Sequence, residues 1–468
     1  MDLKNFKKIH FIGLGGIGVS AVAKFFKLRG SEVSGSDIES SEITADCEKI
    51  GITFYLGHSA DYISPSTNLV VYSDAVPQDN HERLRAIELN IQQISYAEIL
   101  GEISKTKRTI AVSGTHGKST VTAMIGLILE AAGFDPTVIV GSKVKTFPYG
   151  NLRLGAGEWL VVEGDEYRDH MLYLRPEILI LTNLEWDHPD YFKNFEQMIE
   201  SFKKYIELLP INGCIILNGD DSNLQQLAQR HSHIARLPAF GGNVRMTDYG
   251  FTEGSDFMAS NLLLDAGVVK FTVSAKEGAF DEYTLHVPGR FNVFNALAAI
   301  VCARTFGIQP QVIQKTFAEF TGLWRRFEKI GEYNGATIIS DYAHHPTAAR
   351  STIQAAREFY PDKRIVAVFQ PHHRNRTKNL FNDFLTAFDS ADLSIISDIY
   401  DVAGRELKAD ENVSARDLVA AIGKSNIISG GDLARTHDLI KQHARKEDII
   451  LIMGAGDIDK IARKLCQT

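Results

Sequence analysis

The feature that most constrains this chain is a short glycine-rich loop between a predicted strand, 109–112, and a predicted amphipathic helix, 119–132. The loop reads Gly114-Thr115-His116-Gly117-Lys118-Ser119-Thr120. In this setting the backbone amides and the positive end of the helix dipole point at an anion. The lysine can contact phosphate oxygens, and a hydroxyl can ligate Mg²⁺. The pattern predicts an ATP-binding α/β domain, although only two residues separate the glycines where four are usual.

A second glycine-rich loop follows the first predicted strand, 9–12, and opens the helix predicted at 19–28. Its glycines are Gly13, Gly15, Gly16 and Gly18, and Asp37 follows the next predicted strand, 32–36. The loop suits a diphosphate, and the carboxylate suits a ribose hydroxyl. The motif alone fits NAD as well as another nucleotide diphosphate, so it leaves an NAD-dependent dehydrogenase open.

Two polar clusters follow predicted strands of the ATP-binding region. Glu163-Gly164-Asp165-Glu166 comes after the strand 160–162, and the segment 183–188, which ends at His188, comes after the strand 178–181. Open α/β sheets bind ligands at the carboxyl ends of their strands. Glu163 is therefore a candidate Mg²⁺ ligand beside the phosphates. By residue type alone, His188 fits a structural role better than a metal site.

Further polar residues lie on a predicted helix and at the start of the last third of the chain. Asn292 and Asn295 are three residues apart and share a helix face, where they could bind an adenine edge or a phosphate, or could cap the helix. Arg326, in the segment 324–327, could reach a phosphate from the side, or could belong to a solvated surface.

Two more segments follow strands predicted at 337–340 and 365–369. The first contains Asp341 and His345, and the second contains Arg374 and Arg376. A carboxylate at such a strand end suits a ribose or a metal, and guanidinium groups suit an anionic substrate. Histidines are dense here, but no cysteine accompanies them, so the spacing does not indicate structural zinc.

Three runs of alternating strands and helices predict three α/β domains. We expect a Rossmann-like domain at 1–105, a central P-loop ATPase-like domain at 106–322 and a Rossmann-like domain at 323–468. Short alternating segments between 239 and 288 predict an antiparallel elaboration of the central domain.

Charge and cysteine usage exclude several classes of protein. A net charge of −8 argues against a general nucleic-acid or membrane-surface binder. The widely spaced Cys47, Cys214, Cys302 and Cys466 fit neither a zinc site nor a disulfide framework. We find no signal peptide and no run of about 18 apolar residues. We therefore expect a cytoplasmic protein, either a monomer or a weak homodimer.

The chain resembles the Mur ligase family over nearly its whole length. The likeness rests on motifs that occur in this order: GLGGIG, SGTHGKST, VVEGDE, NLEWDH, GRFNVFNALAA, RRFE, DYAHHP, QPHHRNRT and MGAGDI. It departs at Ser340, where the family often has aspartate, and at Phe291, where histidine is frequent.

The resemblance implies a role for each candidate residue. The UDP-sugar would contact Gly13, Gly15, Gly16, Gly18, Asp37 and Ser73. ATP would contact Gly114, Thr115, His116, Gly117, Lys118, Ser119, Thr120, Asn292, Asn295, Arg326 and Asp341. Mg²⁺ would be held by Ser119, Glu163 and His188, and the substrate or the incoming amino acid would face His345, Arg374 and Arg376. The residues implied in catalysis are Lys118, Glu163, His188, Arg326 and Arg374.

The implied activity is the ATP-dependent joining of L-alanine to the lactyl carboxylate of UDP-N-acetylmuramate through an acyl phosphate, with Mg²⁺. A related ligase that attaches a recycled tripeptide to the same sugar would keep every ATP residue and is the nearest alternative. A dehydrogenase would leave Lys118 without a role. A binding protein switched by ATP would not need acidic and histidine metal ligands.

Overall fold

The computed structural model of the chain describes residues 1–230, 244–265, 267–276, 278, 280–401 and 412–467. Strands among these residues form three sheets, and each predicted domain contains one of them. The predicted α/β class is therefore confirmed, whereas the boundaries after residues 105 and 322 stay predictions. Residues 239–243 of the predicted antiparallel segment lie outside the described residues.

The chain forms two compact units. The first comprises Met1–Leu184, Met198–Asp248 and Ala298–Val312, and the second comprises Glu185–Gln197, Tyr249–Leu297 and Ile313–Thr468. No helix in the described part of the chain is both long enough and apolar enough to cross a membrane.

The N-terminal sheet is parallel, with strand order β3-β2-β1-β4-β5. Its strands are β1 Lys8–Ile12, β2 Glu32–Asp37, β3 Thr53–Leu56, β4 Leu69–Tyr72 and β5 Gln92–Ser95. Its helices are α1 Ile17–Leu28, α2 Glu42–Lys49, α3 His81–Glu88 and α4 Tyr96–Ser104. The strand order reverses between β1 and β4, and the carboxyl ends of such a pair border the ligand crevice of a Rossmann-like sheet.

The central region supplies ten strands among the described residues. They are β6 Arg108–Ser113, β7 Thr137–Ile139, β8 Leu152–Arg153, β9 Trp159–Gly164, β10 Ile178–Leu181, β11 Cys214–Asn218, β12 Arg245–Gly250, β13 Phe257–Asp265, β14 Val268–Ala275 and β15 Phe280–Leu285. The helices of this region are α5 Lys118–Ala131, α6 Phe195–Ile206, α7 Ser222–Arg230, α8 Arg290–Thr305 and α9 Pro310–Glu319.

Strand pairing in the central region differs between its parts. In the first compact unit the order is β11-β10-β6-β9-β7-β8, parallel except for the pair of β7 and β8. In the second, β13, β14 and β15 are antiparallel. This confirms the predicted antiparallel elaboration. β6 therefore has a parallel neighbour on each side, so the loop that follows it lies beside the ends of β9 and β10.

The C-terminal sheet has strand order β16-β17-β21-β18-β19-β20 and is parallel except for the edge strand β16. Its strands are β16 Glu328–Tyr333, β17 Ala336–Asp341, β18 Ile365–Phe369, β19 Leu393–Ser397, β20 Ile427–Gly431 and β21 Ile449–Met453. Its helices are α10 Pro346–Phe359, α11 Arg374–Asn379, α12 Phe381–Phe384, α13 Ala415–Ile422, α14 Leu433–His443 and α15 Asp459–Leu465. Apolar clusters cover both faces, as the run of apolar residues in a buried parallel strand requires.

A buried carboxylate, Glu82 in the first turn of α3, ties that helix to the N-terminal sheet. Its Oε2 accepts hydrogen bonds from His10 Nε2 and Ser36 Oγ, each at 2.7 Å, and its Oε1 lies 2.8 Å from His58 Nδ1. Burial on its own raises the pKa of Glu82, but the hydrogen bonds outweigh burial, so the pKa lies below its ordinary value of 4.5. The ionised carboxylate therefore stabilises the fold.

We expect Glu82→Gln to lower the stability of the fold at pH 7 by about 1–3 kcal/mol, because the amide cannot accept all of these bonds. The pKa of Glu82 is lower in the fold than in the unfolded chain, so its contribution is complete above pH 4.5 and is lost as the pH falls through the folded pKa. Urea unfolding at pH 7 and pH 3.5 should show the difference between variant and wild type shrinking in acid. Glu88→Gln, on the exposed side of α3, is the control. A difference that stays constant with pH would contradict the assignment.

Candidate functional site

The glycine-rich loop between β6 and α5 is closed by the backbone conformation of its two glycines. Gly114 has φ +126° and Gly117, which caps α5, has φ +85°. A Cβ on Gly114 would collide with Thr182 Oγ1 and with the backbone of Asn183. Only glycine therefore lets the loop approach the end of β10 this closely, and the resulting cradle of amides fits a phosphate group.

Two side chains after β10 hold the loop in shape. Thr182 Oγ1 donates to the carbonyl of His116 at 2.7 Å. Asn183 accepts from the His116 amide at 2.9 Å and donates to its carbonyl at 3.0 Å. Sequence analysis gave neither residue a role. Their position after the strand that flanks β6 was the available signal, but the pairing of β6 with β10 had to be known first.

Lys118, the first residue of α5, is ion-paired with a buried carboxylate. Its ammonium lies 2.7 Å from Glu166 Oε2, and it donates to the carbonyl of Gly114 at 2.6 Å. Burial alone lowers the pKa of Lys118, but Glu166 and Asp165 outweigh burial, so the pKa lies above its ordinary value. A permanent positive charge thus lies at the glycine-rich loop, and its partner Glu166 is a residue that sequence analysis left without a role.

The predicted metal ligands Ser119 and Glu163 lie side by side. The Ser119 hydroxyl donates to Glu163 Oε2 at 3.1 Å, and the other carboxylate oxygen accepts from the Gly141 amide. Hydroxyl and carboxylate oxygens beside a phosphate-binding cradle are the donors that Mg²⁺ prefers. The chemistry of this pair therefore fits Mg²⁺.

The N-terminal glycine loop lies at the carboxyl ends of β1, β2 and β4. The Asp37 carboxylate accepts from the Gly15 amide at 2.8 Å, so it holds the conformation of the loop beside which a ribose contact was predicted for it. Gly13 has φ +88°, and a Cβ there would fall 2.8 Å from Ser73 Cβ. The structure therefore brings together Gly13, Gly15, Asp37 and Ser73, which were predicted as one site.

Tyr96, at the start of α4, is a residue of this region that sequence analysis missed. Its ring packs so closely against Gly18 that a Cβ there would collide with the phenol. Burial raises the pKa of Tyr96, and the carboxylates of Glu163 and Asp165 raise it further. The phenol therefore packs against the N-terminal loop and lies within electrostatic range of the carboxylates at the end of β9.

Three family profiles match the chain in sequence order, and together they cover most of it. They are described as "Mur ligase family, catalytic domain" at residues 8–108, "Mur ligase middle domain" at 112–303 and "Mur ligase, glutamate ligase domain" at 325–456. The chain belongs to the Mur ligase family.

Relatives of this Mur ligase match it from end to end. UDP-N-acetylmuramate–L-alanine ligases of Caldanaerobacter subterraneus and Alkaliphilus metalliredigens are each 38% identical to it, covering 100% and 99% of this chain and 99% and 98% of theirs. The crystal structure of UDP-N-acetylmuramate–alanine ligase from Thermotoga maritima is similar with a TM-score of 0.82 at 28% identity, covering 98% of each chain. A murein peptide ligase from Psychrobacter arcticus shares the fold, with a TM-score of 0.75 at 23% identity and 98% coverage of each chain.

Other predicted ATP contacts of this Mur ligase lie in its second compact unit. Asn295 donates to Asn292 Oδ1 at 3.0 Å, and Asn292 donates to the carbonyl of Pro288 at 2.7 Å, so the two asparagines share a buried helix face as predicted. The Asp341 carboxylate accepts from the amides of Phe327 and Ala343, each at 2.7 Å. Burial raises the pKa of Asp341 despite nearby Arg326, whose guanidinium lies 4.8 Å from the Tyr342 ring.

The predicted substrate-facing residues of the Mur ligase make protein contacts in this structure. Arg376 is buried and donates to Asp187 Oδ1 at 2.8 Å, and this cation holds the pKa of Asp187 well below its usual range despite burial. Arg374 donates to Asp401 Oδ2 at 2.9 Å. His345 caps α10 by accepting from the amide of Thr347 at 3.3 Å.

His188, the third predicted metal ligand, belongs to the same unit as Asp187. Its backbone is left-handed, with φ +55°, and its Nε2 lies 3.8 Å from Asp187 Oδ2. A left-handed histidine costs about 1–3 kcal/mol of backbone strain, which is a recurrent feature of functional sites.

We expect Lys118→Met to abolish nucleotide binding and to destabilise the fold by about 3 kcal/mol, because Glu166 then stays buried without its cation. The double variant Lys118→Met/Glu166→Gln should regain most of the stability and still bind no nucleotide. Isothermal titration with ADP and thermal unfolding measure the two effects separately. Lys107→Met is the control, since Lys107 precedes the same strand at its other end. Normal ADP affinity in Lys118→Met would contradict the role of this lysine.

Proposed function

We propose that this Mur ligase uses ATP to join L-alanine to the lactyl carboxylate of UDP-N-acetylmuramate. The observation that carries the proposal is the match, over essentially the full length of both chains, to ligases named for that reaction at 38% identity. The amide cradle and the contacts of Lys118 and Ser119 support the use of ATP.

The phosphates of ATP would lie on the loop from Gly114 to Thr120, where Lys118 supplies a fixed positive charge. Ser119, Glu163 and His188 would hold Mg²⁺, which supplies charge neutralisation on phosphate oxygens when bound. Asn292, Asn295, Arg326 and Asp341 would contact the rest of the nucleotide. These residues bind and orient, and phosphoryl transfer needs orientation and electrostatic stabilisation more than covalent help.

The reaction that we propose has two steps. A lactyl carboxylate oxygen attacks the γ-phosphorus of ATP. The bond from that phosphorus to the β,γ-bridging oxygen breaks, so ADP leaves and an acyl phosphate is formed. The neutral amine of L-alanine then attacks the acyl carbon, the C–O bond to the phosphate breaks, and inorganic phosphate leaves while the nitrogen releases one proton to solvent to give the amide. His345, Arg374 and Arg376 would face the substrate or the amino acid, where a guanidinium suits its carboxylate.

The diphosphate of the UDP-sugar would lie on the N-terminal loop, at Gly13, Gly15, Gly16 and Gly18, with Asp37 and Ser73 beside it. This accounts for a dinucleotide-type motif without NAD, and membership of the Mur ligase family removes the reason to expect a dehydrogenase. We propose that the reaction takes place in the cytoplasm, which supplies ATP and UDP-activated sugars. We propose that the enzyme works as a monomer or a weak homodimer.

Phosphate release tests the proposed substrates. With UDP-N-acetylmuramate, ATP and Mg²⁺, we expect release to depend on L-alanine, and mass spectrometry should find the sugar nucleotide extended by one alanyl residue. Parallel assays replace L-alanine with glycine, with L-serine or with the tripeptide L-alanyl-γ-D-glutamyl-meso-diaminopimelate. Faster release with the tripeptide would instead support the recycling ligase, and release without any amine substrate would refute both.

The metal assignment predicts a changed Mg²⁺ requirement. Glu163→Gln keeps the shape of the side chain but removes its charge, so we expect the Mg²⁺ concentration for half-maximal activity to rise about tenfold or more. Glu177→Gln, which alters a partly exposed carboxylate paired with Arg108 next to β10, is the matched control and should leave it unchanged. The assignment is wrong if the two variants have the same Mg²⁺ requirement.

A further inference from the structure

His170 lies between two carboxylates that come from different predicted domains. Its Nε2 is hydrogen-bonded to Asp74 Oδ2, and its Nδ1 lies 3.3 Å from Asp165 Oδ2. Asp74 comes shortly after β4 of the N-terminal sheet, and Asp165 directly follows β9 of the central region. One imidazole thus connects the carboxyl-terminal edges of two sheets within the first compact unit.

Each carboxylate is next in sequence to a residue of a candidate site. Asp74 follows Ser73, which packs against Gly13 of the N-terminal glycine loop. Asp165 precedes Glu166, the partner of Lys118. A shift of this bridge would therefore move the proposed UDP-sugar site at the N-terminal glycine loop relative to the proposed ATP site at the loop before α5.

The chain takes an unusual path to place His170 there. The two preceding residues, Arg168 and Asp169, have φ of +51° and +59°, a left-handed conformation that is costly for residues other than glycine. The Arg168 guanidinium donates to the carbonyl of Asp74 at 3.4 Å, and the amide of Met171 donates to the carbonyl of Asp165 at 2.8 Å. Two consecutive strained residues persist only where the surrounding contacts hold them.

The geometry of the bridge requires the protonated, positively charged form of the His170 imidazole. Carboxylates face both ring nitrogens, and only the imidazolium can donate to both. Burial alone lowers the pKa of His170, but Asp165 and Asp74 raise it to about 9. Other charged or titratable groups near the bridge include Arg168, which contacts Asp74, and Tyr167, whose ring is 6.1 Å from the imidazole. Lys118 and Tyr96 also interact electrostatically with Asp165. At neutral pH the bridge is a cation between two anions.

A second cation joins the same two predicted domains at a different place. Lys143 pairs with Glu42 and Asp46 of α2, each at 2.7 Å. Its partners Glu42 and Asp46 belong to a helix, whereas the partners of His170 follow β4 and β9. A substitution of Lys143 therefore tests whether any loss of contact between the two predicted domains slows the reaction, or only a loss of contact at the ends of β4 and β9.

We propose that His170 is a positioning residue for the ligation, which holds the β4 edge against the β9 edge so that the sugar carboxylate meets the γ-phosphate. The inference rests on the proposed function. Loss of the bridge misplaces the reactants without removing a group that binds either of them. Because small misplacements slow a reaction steeply, the rate should fall while both substrates still bind.

Kinetics of His170→Gln test the inference. The amide has nearly the same reach but cannot donate to both carboxylates. We expect kcat to fall about ten- to a hundredfold, with KM for ATP and for UDP-N-acetylmuramate within about threefold of wild type. Lys143→Met, the control, should keep kcat within about twofold. Equal losses in the two variants, or a loss confined to KM for ATP, would overturn the proposal.

Two further measurements keep the test independent of folding. Asp74→Asn breaks the bridge from its other end, and combining it with His170→Gln should cost no more than either change alone. The ratio of wild-type to His170→Gln kcat should shrink as the pH rises through about 9, because the wild-type imidazolium then loses its proton. Additive losses, or a ratio independent of pH, would contradict the bridge.

The wild-type enzyme separates this inference from the proposed function. If it releases no phosphate with UDP-N-acetylmuramate and L-alanine, the proposed function fails. If it does so and His170→Gln turns over at the same rate, only the role of His170 fails.

Discussion

The first compact unit depends on how one lysine is held at the end of a buried strand. Lys118 begins α5, and its ammonium meets Glu166 beyond the end of β9. A buried carboxylate without its cation would cost several kcal/mol, so β6 and β9 have to stay neighbours with their ends level. The same arrangement brings Ser119 against Glu163. One ion pair therefore couples the shape of the glycine-rich loop before α5 to the position of the proposed metal ligands.

The two glycine-rich loops, after β1 and after β6, both belong to this unit. Side-chain contacts between the two predicted domains fix the position of one loop relative to the other. Tyr96 packs against Gly18 and lies close enough to Glu163 for that carboxylate to raise its pKa. His170 joins Asp74, which follows the Ser73 that packs against Gly13, to Asp165, which precedes the Glu166 that pairs with Lys118. The rate of a phosphoryl transfer between two bound molecules depends on their relative placement, and contacts of this kind fix the placement of the two loops.

Local sequence patterns predicted the limits of several buried strands with little error. The strands expected at 178–181 and 365–369 are β10 and β18 with the same limits, because apolar runs bounded by polar residues mark buried parallel strands. The antiparallel segment was also expected, since β14 alternates apolar and polar residues. For Asp37 the spacing predicted a ribose contact, which stays a prediction; the contact of its carboxylate with the Gly15 amide is a finding of the structure.

The sequence by itself determined the α/β class, the Mur ligase motifs and the candidate residues of the phosphate loop, because glycines, lysine and hydroxyls act there through neighbours within a few positions. Only the tertiary structure decided which distant side chains complete the site. Glu166 opposite Lys118, Thr182 and Asn183 behind the loop, and His170 between two sheets all depend on strand order. Strand order is set by packing over the whole unit, and a one-dimensional pattern of residues does not contain it.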